Sequence, residues 1–98
     1  MKAVHRYRVP AEAARLIRGL HPQIKRKVRS ALDLLARDPH AGKALHGELE
    51  GLHSLRVGGF RIVYRTAARR IIEIVAVGPR ETIYTETLRL VSKIRGPR

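Results

Sequence analysis

The sequence has no cysteine and only 8 acidic residues among its 98. Without thiols there is no disulfide framework and no thiolate metal site, and nothing in the chain requires an oxidising compartment. Long apolar runs are missing too: none approaches the roughly 20 residues of a membrane-spanning helix. The N-terminal MKAVHRYRVP carries no apolar core of the kind a secretory signal needs. These absences point to a cytoplasmic protein with no membrane partner. His5, His21 and His40 show no ligand spacing, so neither a metal nor another cofactor is expected. No internal repeat, low-complexity segment or domain boundary interrupts the chain, and residues 1–98 read as one domain.

Positive charge is what the chain has in excess. Against the 8 acids stand 21 lysines and arginines, giving a net charge of +13. A charge of that size on so small a chain calls for a polyanionic partner, an acidic protein partner, or both. Cations occur all along the sequence, so charge alone locates no site.

The stretch Leu52–Tyr84 organises the rest. Val57-Gly58-Gly59-Phe60 reads as a tight hairpin turn, because Gly-Gly accepts the positive φ that such turns need. The turn fixes the register: Val57 faces Phe60, Arg56 faces Arg61, Leu55 faces Ile62 and Ser54 faces Val63. By alternation Leu55, Val57, Phe60, Ile62 and Tyr64 share a core face with His53. Leu52, Ser54, Arg56, Arg61, Val63 and Arg65 share the other. Tyr64 and His53 are therefore interior residues rather than catalytic ones. Ile71–Val77 is the most apolar strand and should be central, with Glu73 turned to the opposite side and Gly78-Pro79 ending it. Arginines directly opposite each other repel. Arg56 and Arg61 are tolerated most easily if an anion lies over them, and the anion expected is an RNA phosphate.

Upstream, Ala3–Val9 reads as an edge strand closed by Pro10. Pro10-Ala11-Glu12 opens a helix whose apolar side is Ala14, Leu16, Ile17 and Leu20; Gly19 and His21-Pro22 break it. A second helix runs from Pro22 to about Arg37 on the stripe Ile24, Val28, Ala31, Leu32 and Leu35. Lys25, Arg26 and Lys27 lie off that stripe, as a solvated face or a nucleic-acid contact. Asp38-Pro39 stops the helix, and Asp38–Gly51 reads as a loop in which Lys43 and His46 could reach a phosphate. Downstream, Thr66–Arg69 makes a turn. Thr82–Ile94 forms a short helix with Ile83, Thr87, Leu88, Val91 and Ile94 on one side, and Gly96-Pro97-Arg98 frays. The sum is an α+β domain in β-α-α-β-β-β-α order: a small antiparallel sheet with two N-terminal helices packed on one face. The other face, with Arg56, Arg61 and Arg65, is expected to stay open.

The run Gly51–Tyr64, GLHSLRVGGFRIVY, together with Val77–Tyr84, VGPRETIY, resembles the signature of the RelE/ParE toxin superfamily. Strand order, length and basic charge agree, and the likeness covers nearly the whole chain. The resemblance implies a toxin of a type II toxin–antitoxin system, partnered by an antitoxin, an acidic or amphipathic protein that wraps it. RelE-type members cut mRNA in the ribosomal A site; ParE-type members poison DNA gyrase and cut nothing. Operator DNA would be met only as a toxin–antitoxin complex. Motif by motif, Arg61 matches the phosphate-binding arginine after the hairpin, Arg80 the arginine after the last strand, and Tyr84 the catalytic tyrosine. Where well-studied RelE toxins place two lysines before the hairpin, this chain has Leu52 and Ser54.

The implied reaction is attack of a ribose 2′-OH on the adjacent phosphorus. It requires a base, an acid and cations around the phosphorus, and no metal. Arg61 and Arg80 suit the clamping, since guanidinium is always charged and forks onto phosphate. Tyr84 is the candidate base or a stacking platform. His46 is the candidate acid, histidine being the residue type that exchanges protons near neutrality. Arg56, Arg65, Lys43 and Lys25 are the further cations expected to hold RNA.

Overall fold

Turn chemistry and alternation dictate most of the sheet. In a computed structural model, which describes residues 5–95 and the side chains of residues 5–91, the elements in chain order are β1 (Arg6–Arg8), α1 (Ala11–Arg18), α2 (Pro22–Arg37), β2 (Lys43–Ala44), β3 (His53–Val57), β4 (Phe60–Ala67), β5 (Ile71–Pro79) and α3 (Ile83–Arg95). A single 3-10 turn, Gly47–Leu49, precedes β3. The strands form one five-stranded sheet in the order β1-β5-β4-β3-β2. The start of the first strand at Ala3, the fraying of Gly96–Arg98 and the side chain of Ile94 lie outside what is described.

The β3–β4 register is the one the Gly-Gly turn dictates: Val57↔Phe60, Arg56↔Arg61, Leu55↔Ile62 and Ser54↔Val63. Only Gly58 takes a positive φ, at 62°, as a type II′ turn requires at its first central position. The turn between β4 and β5 falls at Ala68–Arg70, beginning two residues later and ending one residue later than expected. There Arg69 and Arg70 both adopt positive φ, 63° and 60°, which the sequence AARR does not announce.

Two strands differ from expectation. β1 runs parallel to β5, with Arg6 opposite Ile71 and Arg8 opposite Glu73, so the sheet is mixed rather than antiparallel. β1 leads into a helix, so no tight turn forces an antiparallel partner on it. β2 lies inside the expected Asp38–Gly51 loop, pairing Lys43 with Ser54 and Ala44 with His53. At two residues it is too short to leave a periodicity.

One face of the sheet is covered as expected. Val28, Leu32 and Leu35 of α2 and Ala13 of α1 pack on Val57, Ile62, Tyr64, Ile72, Ile74 and Val77. A register shift between Val63 and Tyr64 skips Val75 in β5. This bulge lets Ile72, Ile74 and Val77 meet the same helices despite their uneven spacing. Phe60, expected in this core, is only half-buried at the hairpin end.

The second face is not open. α3 folds back over it, and Ile83 and Leu90 pack on Leu52, Val63 and Ala76. Burying Ile83 and Leu90 contributes about 1.5–3 kcal/mol each. That gain explains why the helix covers this patch, which would otherwise face water. Arg56 and Arg61 lie nearer the hairpin end of the same face.

Glu73 ties three strands together. Its carboxylate accepts from Arg8 on β1 at 2.6 Å and from Arg65 on β4 at 2.6 Å. Burial by itself would raise the Glu73 carboxyl, but hydrogen bonds and charge from Arg65 and Arg8 prevail and hold it below the usual value. A carboxyl depressed on folding stabilises the fold above its unfolded pKa, and that stabilisation is lost as pH falls through the folded value. Glu73→Gln leaves two arginines facing each other without their anion. It should cost about 1–2 kcal/mol at neutral pH, with the gap to wild type closing as the solution is acidified below the carboxylate range. Urea unfolding at pH 7 and pH 3 measures both, and an equal gap at the two pH values would refute the clamp.

Tyr64 is fully buried and fixes the loop before β2. Its hydroxyl donates to the Pro39 carbonyl at 2.9 Å and accepts from the Gly42 N–H at 2.9 Å. The ring stacks on His53 with centroids 5.4 Å apart. Burial, opposed by the Gly42 N–H and aided by the charge of Asp38, pushes the phenol above its ordinary pKa. It is an interior residue, as strand parity requires.

Candidate functional site

The hairpin sets two arginines side by side. Arg56 and Arg61 are cross-strand partners, and among the described residues neither pairs with a carboxylate. Arg56 is exposed, and its Nε reaches only the Gly58 carbonyl at 3.4 Å. Arg61 is half-buried and donates from Nη1 to Ser54 Oγ at 3.2 Å. Two unneutralised guanidinium groups on adjacent strands make a place where an anion is favoured.

α3 delivers the third group. Ile83, almost fully buried, seats the start of the helix, and Thr87 and Leu90 continue the stripe one and two turns on. Gly78 lies against it, where a Cβ would stand 3.4 Å from Ile83 Cδ1. Seating Ile83 brings its neighbour Tyr84 to β3, where the phenol hydroxyl meets Ser54 Oγ at 3.3 Å. Arg61 and Tyr84, which are 23 positions apart in the chain, thus share one serine. Ser54 itself is only 2% exposed.

Arg80 arrives by its backbone. Its N–H donates to the Gly59 carbonyl at 3.0 Å, which fastens the segment after β5 to the hairpin turn. Its side chain is exposed at the same end of the sheet as Arg56 and Arg61. Lys43 joins from β2. It sits opposite Ser54, and antiparallel partners point to one side of a sheet. Leu45, two residues on, packs into the core beneath α3, which fixes the side as that of Arg61 and Tyr84.

Three sequence-based assignments are not brought to this place. Arg65 shares the face but is held by Glu73 at 2.5 Å, because Glu73 lies directly across from it on β5. Lys25 lies on α2, whose core stripe covers the opposite side of the sheet; it flanks a groove with Tyr7, Ile17, Arg18 and Arg29. His46 is exposed beside the 3-10 turn, before the start of β3, whereas Arg61 pairs near that strand's end. Among the described residues no hydrogen bond joins it to Arg61 or Tyr84. His53, on the core side, keeps its ring against Tyr64, and its buried Nδ1 has no hydrogen-bond partner.

Sequence reasoning misses one member of the site. Ser54 stands out in the sequence only as a residue in a place where a lysine is expected, yet its hydroxyl is what joins Arg61 to Tyr84. Strand parity carries part of the signal, since it puts Ser54 on the arginine side. The other half depends on where α3 lands.

Among the described residues no group of three or more His, Cys, Asp or Glu side chains gathers as a metal site, and no helix is long and apolar enough to cross a membrane. The arrangement is a cationic corner with one phenol, suited to holding an oxyanion and exchanging a proton beside it.

Comparison with known proteins gives the family and the fold. Residues 5–84 match the family model of the ParE toxin of type II toxin–antitoxin systems, parDE. The fold resembles the toxin–antitoxin complex RelBE2 from Mycobacterium tuberculosis, with a TM-score of 0.74 and 30% identity over 82% of this chain and 95% of that one. It also resembles a mutant Escherichia coli toxin RelE in the free state, with a TM-score of 0.71 and 20% identity over 91% of this chain and 99% of that one. A third likeness is to the archaeal RelE–RelB complex from Pyrococcus horikoshii, with a TM-score of 0.65 and 21% identity over 79% and 96% of the two chains. The last two speak for the fold alone. No curated protein matches in sequence.

Proposed function

This chain belongs to the RelE/ParE superfamily of toxins from type II toxin–antitoxin systems, and from that premise we propose that it is a ribosome-dependent mRNA endonuclease. The observation that carries the reading is the convergence of Arg61 and Tyr84 on Ser54, beside the unneutralised Arg56. A toxin that only blocked a protein surface would have no need of a phenol bound into a cluster of guanidinium groups.

In this reading the scissile phosphate lies over Arg56 and Arg61, with Arg80 closing from the hairpin end. Tyr84 is the base that takes the 2′-OH proton. The O2′–P bond forms and the P–O5′ bond breaks, leaving a 2′,3′-cyclic phosphate. The guanidinium groups hold the charge that builds on the nonbridging oxygens. The leaving 5′ oxygen takes its proton from the Lys43 ammonium, whose position on β2 puts it on the reacting side. His46 has no part.

The partner that restrains the protein is an antitoxin, as in the RelB complexes of its structural relatives. With +13 on the toxin, an acidic antitoxin should associate faster at low salt than at high salt.

A second reading, gyrase inhibition, is favoured by one feature: Leu52 and Ser54 occupy the strand positions where RelE-type toxins carry lysines. Primer extension on an mRNA undergoing translation, run beside a gyrase supercoiling assay, separates the two. Cleavage within the A-site codon with supercoiling untouched supports the endonuclease. Intact mRNA with blocked supercoiling would replace it by the second reading.

A further inference from the structure

Ser54 is the one buried hydroxyl that touches both candidate reacting groups. We propose that it is a positioning residue: from β3 its Oγ sets the spacing of the Arg61 guanidinium and the Tyr84 phenol, and so assembles the reactive corner from β4 and α3, two elements that no direct hydrogen bond joins among the described residues. The proposal rests on the endonuclease reading for its kinetic consequences, and on geometry alone for its structural ones.

A serine hydroxyl has two acceptor sites and one donor. Arg61 can only donate, so it takes one acceptor site, at 3.2 Å. Tyr84 meets the same oxygen at 3.3 Å. That bond joins two hydroxyls, each able to donate or accept, so it can run either way without a change of geometry. A proton can therefore leave or return to Tyr84 while Ser54 stays in contact, and Arg61 keeps the serine oriented throughout. No other side chain can do this here. Lys43, directly across from Ser54 on β2, has donors only. Val63, its partner on β4, has no polar atom. At 2% exposure water has little access to Ser54 Oγ, so an alanine would leave the two groups unlinked rather than bridged by solvent.

A small residue at this place also makes the arrangement possible. The long side chains that the superfamily signature leads one to expect on this strand would occupy the space in which Tyr84 reaches β3. Tyr84 is tethered where α3 starts, next to the buried Ile83, so it approaches from a fixed direction. A hydroxyl one carbon from the strand is the reach that fits.

The test is a double-mutant cycle with a spectroscopic arm. In ribosome-dependent cleavage, Ser54→Ala should lower kcat by about 10²-fold with KM nearly unchanged, as expected when reacting groups are misplaced but substrate binding is intact. In a Tyr84→Phe background the same change should cost clearly less, the remainder being what Ser54 does through Arg61. Independently of any cleavage, NMR of ring-labelled tyrosine should show the Tyr84 signals moved in Ser54→Ala while those of Tyr64 stay in place. A wild-type kcat in Ser54→Ala, equal losses in both backgrounds, or unmoved Tyr84 signals would each overturn the proposal. If the wild-type protein cuts no mRNA, the endonuclease reading falls by itself, and the NMR arm still decides whether Ser54 holds Tyr84.

Discussion

Arg61→Ala is expected to reduce ribosome-dependent mRNA cleavage by about 10²–10³-fold, the usual cost of removing one preorganised donor from a developing oxyanion, and to relieve growth arrest on induced expression. The structure separates this loss from misfolding. Arg61 is half-buried, pairs with no carboxylate among the described residues, and makes one side-chain hydrogen bond, to Ser54. Ser54 keeps Tyr84 as a partner when Arg61 is gone, so no buried polar atom is orphaned. The truncation also removes a like-charge pair with Arg56, which would itself favour the fold slightly. Thermal unfolding should therefore stay near wild type. Arg65→Ala serves as the contrasting variant: its guanidinium is held by Glu73, so it should cost stability and leave cleavage by the folded protein largely unchanged. Cleavage at the wild-type rate by Arg61→Ala would remove the phosphate assignment.

Gly42→Ala is expected to destabilise the fold by about 3 kcal/mol, a large share of the 5–15 kcal/mol that holds a typical domain together. An added Cβ would stand 2.4 Å from the Tyr64 hydroxyl and 2.8 Å from Cε1 of its ring. Neither can retreat. Tyr64 is fully buried, its ring is stacked on His53, and its hydroxyl is bonded to Pro39 and Gly42. Overpacking of this kind typically costs 1–3 kcal/mol, and a Tyr64 hydroxyl pushed off its partners adds about 1–3 kcal/mol more. Part of this is recovered by local adjustment. In a Tyr64→Phe background the closest clash is gone, so the same substitution should cost less there. Urea midpoints of the four proteins provide the measurement. A Gly42→Ala midpoint equal to wild type would mean that the loop does not sit against Tyr64 as described.

The same residues show what a sequence can and cannot declare. The hairpin register is legible because Gly58-Gly59 leaves one compact way to reverse the chain, and the alternation on either side then assigns every side chain a face. That logic places Tyr64 and His53 inward. The coverage of the second face is only half legible. The stripe Ile83, Thr87 and Val91 announces an amphipathic helix, and Leu52 and Val63 on the arginine side are apolar enough to need a cover, while Ala76 reaches that side only through the bulge. The arginines among them suggest an open surface instead. Arg65 reads as an RNA ligand because parity gives its direction but not its neighbour. Glu73 lies eight residues later, and only the placement of the β4–β5 turn at Ala68–Arg70 sets the two opposite each other. β2 leaves no trace because two residues cannot show a period, and with it goes the information that Lys43 stands beside Ser54.

The parallel pairing of β1 with β5 bears on how the protein comes into being. Arg8 meets a carboxylate 65 positions further along the chain, and an interior strand of the sheet is the last one synthesised. Contacts across such long separations form slowly, because the intervening chain must be ordered first. While a ribosome is making this polypeptide, α1 and α2 emerge with the sheet they cover still missing its interior strand. The nascent chain must therefore remain without its reactive corner until translation has passed residue 84. In the endonuclease reading proposed above, the growing polypeptide can act on no message before Tyr84 has joined Arg61 at Ser54.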